Sequence, residues 1–154
     1  MRSVTERYEI PLIFDEIVTG FRFAYGGAQE YYGVTPDLCT LGKIVAGGFP
    51  LAAVAGRADM MRGFDPAASK DGSFMPQIGT LNGNPIAAVA GLATLEVLRR
   101  DGTYERLNEM GRQLMDALRE ILSESGMAAQ VVGEPTVFDV VFTDQEIVDF
   151  RSYA

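Results

Sequence analysis

The sequence predicts an α/β fold, and three features of its 154 residues carry that prediction. The apolar run "EIPLIFDEI" (9–17) ends in two acids, which is typical of a strand buried in a parallel sheet with polar groups at its carboxyl end. Two segments of helical pattern follow, over 84–100 and 104–125. Short strand-like segments lie before and after these helices, as in domains that pack helices on a sheet.

In chain order, a second strand is expected in "TPDLCTLG" after Pro36 and a third in "FPLAAVAGR" after Pro50. The segment "ADMMRGF" predicts one or two helical turns. The polar, turn-rich segment "DPAASKDGSFMPQ" (65–77) predicts a loop.

The first long helix is expected to begin at Asn84 and Pro85, which suit its N-cap and its first helical position. Apolar residues recur along it at mostly three- and four-residue spacing and predict an apolar face, namely Val89, Leu92, Leu95 and Leu98. The second helix has a stripe that is expected to face a core, made of Leu107, Met110, Leu114, Leu118 and Leu122. Gly126 is the expected C′ residue.

Two strands, "AAQVVGE" and "TVFDVVFTD", come next, and "QEIVDFRSYA" starts a last helix. A turn near Gly102 predicts two domains, residues 1–101 and residues 102–154. The second would be an α+β unit.

Composition excludes several function classes. The net charge is −8 and the only adjacent basic pair is Arg99–Arg100, which argues against nucleic-acid binding. No run of 18 apolar residues is found, which argues against a membrane span. No signal peptide is expected, since the N-terminus has no long apolar region. A single cysteine rules out an internal disulfide, favours the cytoplasm and gives no zinc site. The absence of histidine excludes Ser-His-Asp and Cys-His catalysis within the chain.

Lys43 stands in the apolar, glycine-containing segment "TLGKIVAGGFP" (40–50) and is one of only two lysines. A solvated lysine beside a turn is the ordinary interpretation. We expect instead that Lys43 is shielded from water, because its neighbours are too apolar for a surface segment; an amine in such a place is available as a nucleophile toward a carbonyl. A phosphate-binding P-loop is excluded, since the glycine that the motif requires before Gly42 is absent and Ile44 follows the lysine.

Two further features match one cofactor. Asp15 at the end of the first strand could simply cap a turn, or it could hold a buried cation such as a pyridinium nitrogen. The segment "IGTLNGNP" (78–85) offers glycines, a threonine hydroxyl and a helix N-terminus to a phosphate. A lysine, an acid and a phosphate cradle are what pyridoxal phosphate requires.

The segments "LIFDEIVTGFRFAYGGAQEYYGVTPDLCTLGKIVAGGFPLAAVAGR" and "GTLNGNPIAAVAGLATLEVL" resemble the class III pyridoxal-phosphate aminotransferases, and most closely their glutamate-1-semialdehyde 2,1-aminomutase branch. Asp15 and Lys43 are 28 positions apart, which is compatible with the family pattern. The resemblance implies a fragment of a fold-type I pyridoxal-phosphate transferase. Residues 1–101 would be the C-terminal part of its large domain, and residues 102–154 the start of its small domain.

The resemblance also implies site roles. Lys43 would be catalytic and form the Schiff base with the cofactor, and Asp15 would pair with the ring nitrogen. Ile17 would pack on one ring face, although it could be plain core. Thr80, helped by the backbone of Gly79, would bind the cofactor phosphate across a homodimer interface, although it could be only a turn residue. No metal is implied, and the substrate would be a small amino acid or amino aldehyde.

Family members are far longer, so the resemblance implies that part of the site is missing from this chain. We therefore expect little or no turnover from the isolated chain. The alternative is a catalytically inactive fragment that serves as a scaffold or partner-binding piece. A binding domain that uses Tyr25, Tyr31 and Tyr32 as an aromatic platform is disfavoured, because no basic groove accompanies these rings.

Overall fold

The computed structural model of the protein describes residues 1–67 and 74–153, so the central part of the predicted 65–77 loop lies outside the described residues. The chain divides into two compact units, Met1–Asp101 and Gly102–Ala154. The first unit holds helices α1 (Arg2–Arg7), α2 (Gly27–Tyr31), α3 (Ala58–Met61) and α4 (Pro85–Leu98), and strands β1 (Ile13–Glu16), β2 (Leu38–Leu41) and β3 (Ala53–Gly56). The second holds α5 (Thr103–Ser125), β4 (Gln130–Glu134), β5 (Val137–Val141) and α6 (Phe150–Tyr153).

The first unit is built on a three-stranded sheet in the order β1-β2-β3. Strand β1 runs parallel to β2, with Asp15 paired to Thr40 and Glu16 to Leu41, and β3 runs antiparallel to β2. Because β1 and β2 are parallel, their carboxyl ends meet at one edge of the sheet. That edge is where open α/β sheets bind ligands.

Strand β1 is less buried than its apolar sequence predicts. Leu12 just before it is buried, but Ile10 and Ile13 are more than half exposed. Within the described residues β1 pairs with β2 alone and so lies at an edge of the sheet. The prediction of a fully buried strand is therefore wrong for this chain.

Asp37 is a buried carboxylate that ties the amino end of β1 to the rest of the first unit. It accepts a hydrogen bond from the Leu12 N–H at 2.8 Å and forms ion pairs with Arg2 at 2.8 Å and with Arg57 at 3.0 Å. The Leu12 N–H, followed by the guanidinium groups of Arg57 and Arg2, holds the pKa of Asp37 well below its usual range. Asp37 is therefore stabilised in its charged form within the folded chain.

Helix α4 begins as predicted, since the Asn84 side chain accepts the Ile86 N–H at 2.9 Å and Pro85 is its first residue. Its buried residues are Ala87 and Gly91, whereas Val89 and Leu92 are exposed. The predicted apolar face is thus only partly the face that packs, since Leu95 and Leu98 are half-buried but Val89 and Leu92 are not. The helix is apolar on all sides, and the small residues allow the closest approach to the 3₁₀ turn Lys43–Ala46.

In the second unit, α5 packs on the antiparallel β4–β5 pair. Its core consists of Met115 and Leu122 with Val131, and Leu118 is partly buried against them. Gly126 ends the helix in a left-handed conformation (φ 69°), as predicted. The first half of the predicted stripe, Leu107, Met110 and Leu114, is exposed. The core residues of α5 that pack on the β4–β5 pair lie in its second half.

Candidate active site

The Asp15 carboxylate lies near the carboxyl end of β1 and is exposed. Its Oδ1 accepts two hydrogen bonds, one from the Ile17 N–H and one from the Thr40 hydroxyl, each at 3.1 Å. The two donors come from the turn after β1 and from β2. The carboxylate is therefore held by both strands that meet at this edge of the sheet.

Lys43 follows the carboxyl end of β2 after one intervening glycine, Gly42. Its backbone is left-handed, with φ 47°, in a region that residues other than glycine rarely adopt. Such strain persists only where the surroundings impose it, and it concentrates at functional sites. The side chain is exposed, so the prediction that Lys43 is shielded from water is wrong for this chain. The apolar residues that follow it, Val45 and Ala46, are the ones that are buried.

Ile17 lies beside Gly42. A Cβ built on Gly42 would lie 3.4 Å from Ile17 Cγ2, an ordinary van der Waals distance, so the two residues are neighbours. Asp15, Ile17 and Lys43 are thus brought to the same edge, at the carboxyl ends of β1 and β2. About a third of Ile17 stays exposed, which leaves an apolar surface available to a ligand.

Gly79 and Thr80 lie in an exposed segment that leads into α4. The Asn82 N–H donates to the Gly79 carbonyl at 3.0 Å, and the Asn82 side-chain amide donates to the Gln77 carbonyl at 3.3 Å. No hydrogen bond joins Thr80 to Asp15 or Lys43 within residues 1–67 and 74–153. The role of Gly79 and Thr80 in binding a phosphate therefore stays a prediction.

Glu16 is a structural carboxylate that the sequence analysis missed. It is 1% exposed and accepts hydrogen bonds from the Thr19 hydroxyl (2.9 Å), the Ala28 N–H (2.7 Å) and both the backbone and side-chain nitrogens of Gln29 (3.1 Å each). Its own carbonyl accepts the Gly20 N–H at 2.9 Å. Glu16 therefore fixes the turn that carries Ile17 and joins it to the start of α2. Because successive side chains of a strand point to opposite faces, Glu16 lies on the other face of β1 from Asp15. This alternation is the sequence signal that could have revealed its buried position.

The described part of the chain contains no cluster of three or more histidine, cysteine, aspartate or glutamate side chains arranged to hold a metal ion. None of its helices has the length and apolar character that crossing a membrane requires.

Comparison with known proteins gives consistent results. Residues 1–151 match the family described as aminotransferase class-III. The glutamate-1-semialdehyde 2,1-aminomutase of Methanocaldococcus jannaschii is 45% identical over 98% of this chain and 34% of its own length. That of Natranaerobius thermophilus is 43% identical over 99% of this chain and 34% of its own length.

Two solved structures have the same fold. An omega-transaminase from Sphaerobacter thermophilus superposes with a TM-score of 0.85 and 37% identity, over 98% of this chain and 35% of that one. A structure described as a transaminase with PLP bound gives a TM-score of 0.81 and 34% identity, over 91% of this chain and 32% of that one.

The fold is thus the α/β fold of pyridoxal-phosphate-dependent transaminases, as predicted. The chain belongs to the class III aminotransferase family, which is a family of enzymes that use pyridoxal phosphate. It spans about a third of the length of the curated relatives that it matches.

The residues at the edge fit this cofactor. An acid that can face a ring nitrogen, an exposed apolar side chain and a lysine amine lie at the carboxyl ends of two adjacent parallel strands. Among the described residues, no donor is hydrogen-bonded to Asp15 Oδ2, so one oxygen of the acid remains for the ring.

Proposed function

We propose that this chain carries the cofactor-binding lysine of an enzyme that transfers amino groups with pyridoxal phosphate, either between two molecules or within one. The observation that supports this most directly is the placement of Asp15 and Lys43 at one sheet edge, on adjacent parallel strands. Bound pyridoxal phosphate supplies an electron sink for the carbon next to the amino group.

In this proposal Lys43 is the catalytic residue. Its Nζ would hold the cofactor covalently when substrate is absent, and, once the amine of the substrate had displaced it, would move a proton at the substrate carbon. The exposed position of Lys43 supports the role, because the amine must reach a separate molecule. The left-handed backbone turns the chain sharply after β2 and so fixes where the side chain starts.

Asp15 holds the ring nitrogen through Oδ2 by a charge-assisted hydrogen bond, which keeps that nitrogen protonated. Ile17 packs on one ring face, because its side chain borders Gly42 just before the lysine. Together these residues orient the ring relative to Lys43.

Gly79 and Thr80 bind the cofactor phosphate of a second copy of the chain in a homodimer. The exposure of 74–83 supports this role, because the segment is open to another molecule. Val89 and Leu92 of α4, the helix that follows this segment, are exposed and apolar, and they support a partner because exposed apolar patches mark interaction surfaces.

The names of the relatives suggest the substrate class. We propose a small amino acid or an amino aldehyde such as glutamate 1-semialdehyde, in line with the aminomutases that match. We also propose a cytoplasmic location, which agrees with the single cysteine, Cys39.

A second candidate function is that of a scaffold or partner-binding piece without catalysis, as the exposed apolar face of α4 would allow. It differs from the first candidate in requiring no chemistry from Lys43.

The catalytic role of Lys43 is tested by one half-reaction, the transfer of an amino group from a donor to pyridoxal phosphate. The purified chain is incubated with pyridoxal phosphate and an excess of an amino donor, and the pyridoxamine phosphate formed is measured by chromatography. We expect slow formation above the level of Lys43→Ala, with Lys70→Ala, the other lysine, behaving like the unaltered chain. A rate that Lys43→Ala leaves unchanged would overturn the catalytic proposal and favour the scaffold.

A further inference from the structure

Thr40 is the residue of β2 that pairs with Asp15 of β1, and its side chain reaches the Asp15 carboxylate. The Thr40 hydroxyl donates to Asp15 Oδ1 at 3.1 Å, and the Ile17 N–H donates to the same oxygen at 3.1 Å. The two donors come from different elements yet converge on one oxygen.

This convergence matters because the terminal torsion of an aspartate is broad and the Asp15 side chain is exposed. With a single donor, a carboxylate could exchange its two oxygens by rotation. Two donors at Oδ1 oppose that rotation and leave Oδ2 directed elsewhere. Thr40 is suited to this task, since a β-branched side chain in a strand has few rotamers.

We propose that Thr40 is a positioning residue that orients Asp15 so that Oδ2 faces the ring nitrogen of pyridoxal phosphate. The proposal rests on the proposed function, since it requires Asp15 to hold that nitrogen. Thr40 itself need not touch the cofactor. It acts in the way that outer-shell groups orient the ligands of metal sites.

The test measures the dissociation constant of pyridoxal phosphate by equilibrium titration for four variants of the chain. Thr40→Val keeps the shape of the side chain but removes the donor, and we expect binding to weaken by roughly fivefold or more, as for loss of a hydrogen bond to a charged group. Thr40→Ser keeps the hydroxyl and is expected to bind within about twofold of the unaltered chain.

Asp15→Ala and the double variant Asp15→Ala/Thr40→Val complete a cycle. If Thr40 acts through Asp15, adding Thr40→Val to Asp15→Ala changes the dissociation constant no further. A general structural role of Thr40 would weaken binding equally in both backgrounds, and that result would overturn the inference. Thermal melting followed by circular dichroism identifies any variant that fails to fold, and Thr40→Ser then provides the comparison.

The outcomes separate this inference from the proposed function. If Asp15→Ala binds as tightly as the unaltered chain, or if neither binds, the proposed role of Asp15 fails and the role of Thr40 fails with it. If Asp15→Ala weakens binding but Thr40→Val does not, only the role of Thr40 is overturned.

Discussion

The α-carbon of Gly91 in α4 lies against the carbonyl oxygen of Val45, so closely that a Cβ at position 91 would stand 2.5 Å from that oxygen. Gly47, at φ 58°, meets α4 in the same way, since a Cβ there would lie 2.6 Å from the Ala90 carbonyl oxygen. The turn that begins at Lys43 is therefore seated on α4 through backbone contacts. The position of the lysine depends on a helix almost fifty residues further along the chain.

Gly91→Ala should destabilise the first unit. Alanine favours a helix over glycine by about 1 kcal/mol, but the added Cβ must push the backbone of Val45 away, which costs about 1–3 kcal/mol. We expect a net loss in the free energy of unfolding, measured by urea denaturation. Ala93→Gly, at an exposed position of the same helix, measures the propensity difference alone. A Gly91→Ala variant that gains stability would show that the contact is not tight.

Glu16→Ala should loosen the turn after β1, because it leaves the partly buried N–H groups of Ala28 and Gln29 without their acceptor. Each such group costs about 1–3 kcal/mol. We expect faster amide hydrogen exchange at both residues and a free energy of unfolding lower by at least about 2 kcal/mol. Glu120→Ala, at an exposed position of α5, is the control for the same substitution and should leave these amides unchanged. Equal effects of the two variants would contradict the anchoring role of Glu16.

Asp37 should make the first unit sensitive to acid. Its pKa is lowered in the folded chain by the Leu12 N–H and by Arg57 and Arg2, so the unfolded chain takes up the proton first as pH falls. Its contribution to stability is complete above the unfolded value of about 3.9 and is lost progressively below it. Unfolding free energies of the unaltered chain and of Asp37→Asn should therefore differ at neutral pH and converge in strong acid.

Asp59→Asn is the control for the pH experiment, since Asp59 also pairs with Arg57 but is exposed. It should shift the stability curve less than Asp37→Asn does. A difference between the unaltered chain and Asp37→Asn that stays constant down to strong acid would show that Asp37 stabilises the fold by a route other than its charge.

Local signals in the sequence were sufficient for the helix ends. Asn84 and Pro85 fix the start of α4, and Gly126 fixes the end of α5, because each acts through neighbours within a few residues. The strands at 13–16 and 38–41 were predicted for the same reason, from short apolar runs bounded by turn residues.

The buried faces could not be predicted in this way. Helix α4 is apolar on all sides, so periodicity could not show that Ala87 and Gly91, rather than Val89 and Leu92, face the turn after Lys43. That choice depends on how closely two backbones approach, which no local pattern encodes.

At the candidate site, residue type and spacing indicated Asp15 and Lys43, and the structure places both at one edge of the sheet. The exposure of Lys43 was not predicted, because the apolar residues around it are buried on the other side of the turn. The roles of Glu16 and Thr40 arise from contacts between separate segments, so they require the fold.

The central claim, that Lys43 is the lysine that holds the cofactor, can be tested by borohydride trapping. The chain is incubated with pyridoxal phosphate and reduced with sodium borohydride, and the modified residue is located by peptide mass spectrometry. Lys70 serves as an internal reference, since these are the only two lysines. We expect the pyridoxyl group predominantly on Lys43, with strong reduction of that labelling in Asp15→Ala. Equal labelling of Lys43 and Lys70, unaffected by Asp15→Ala, would contradict the claim.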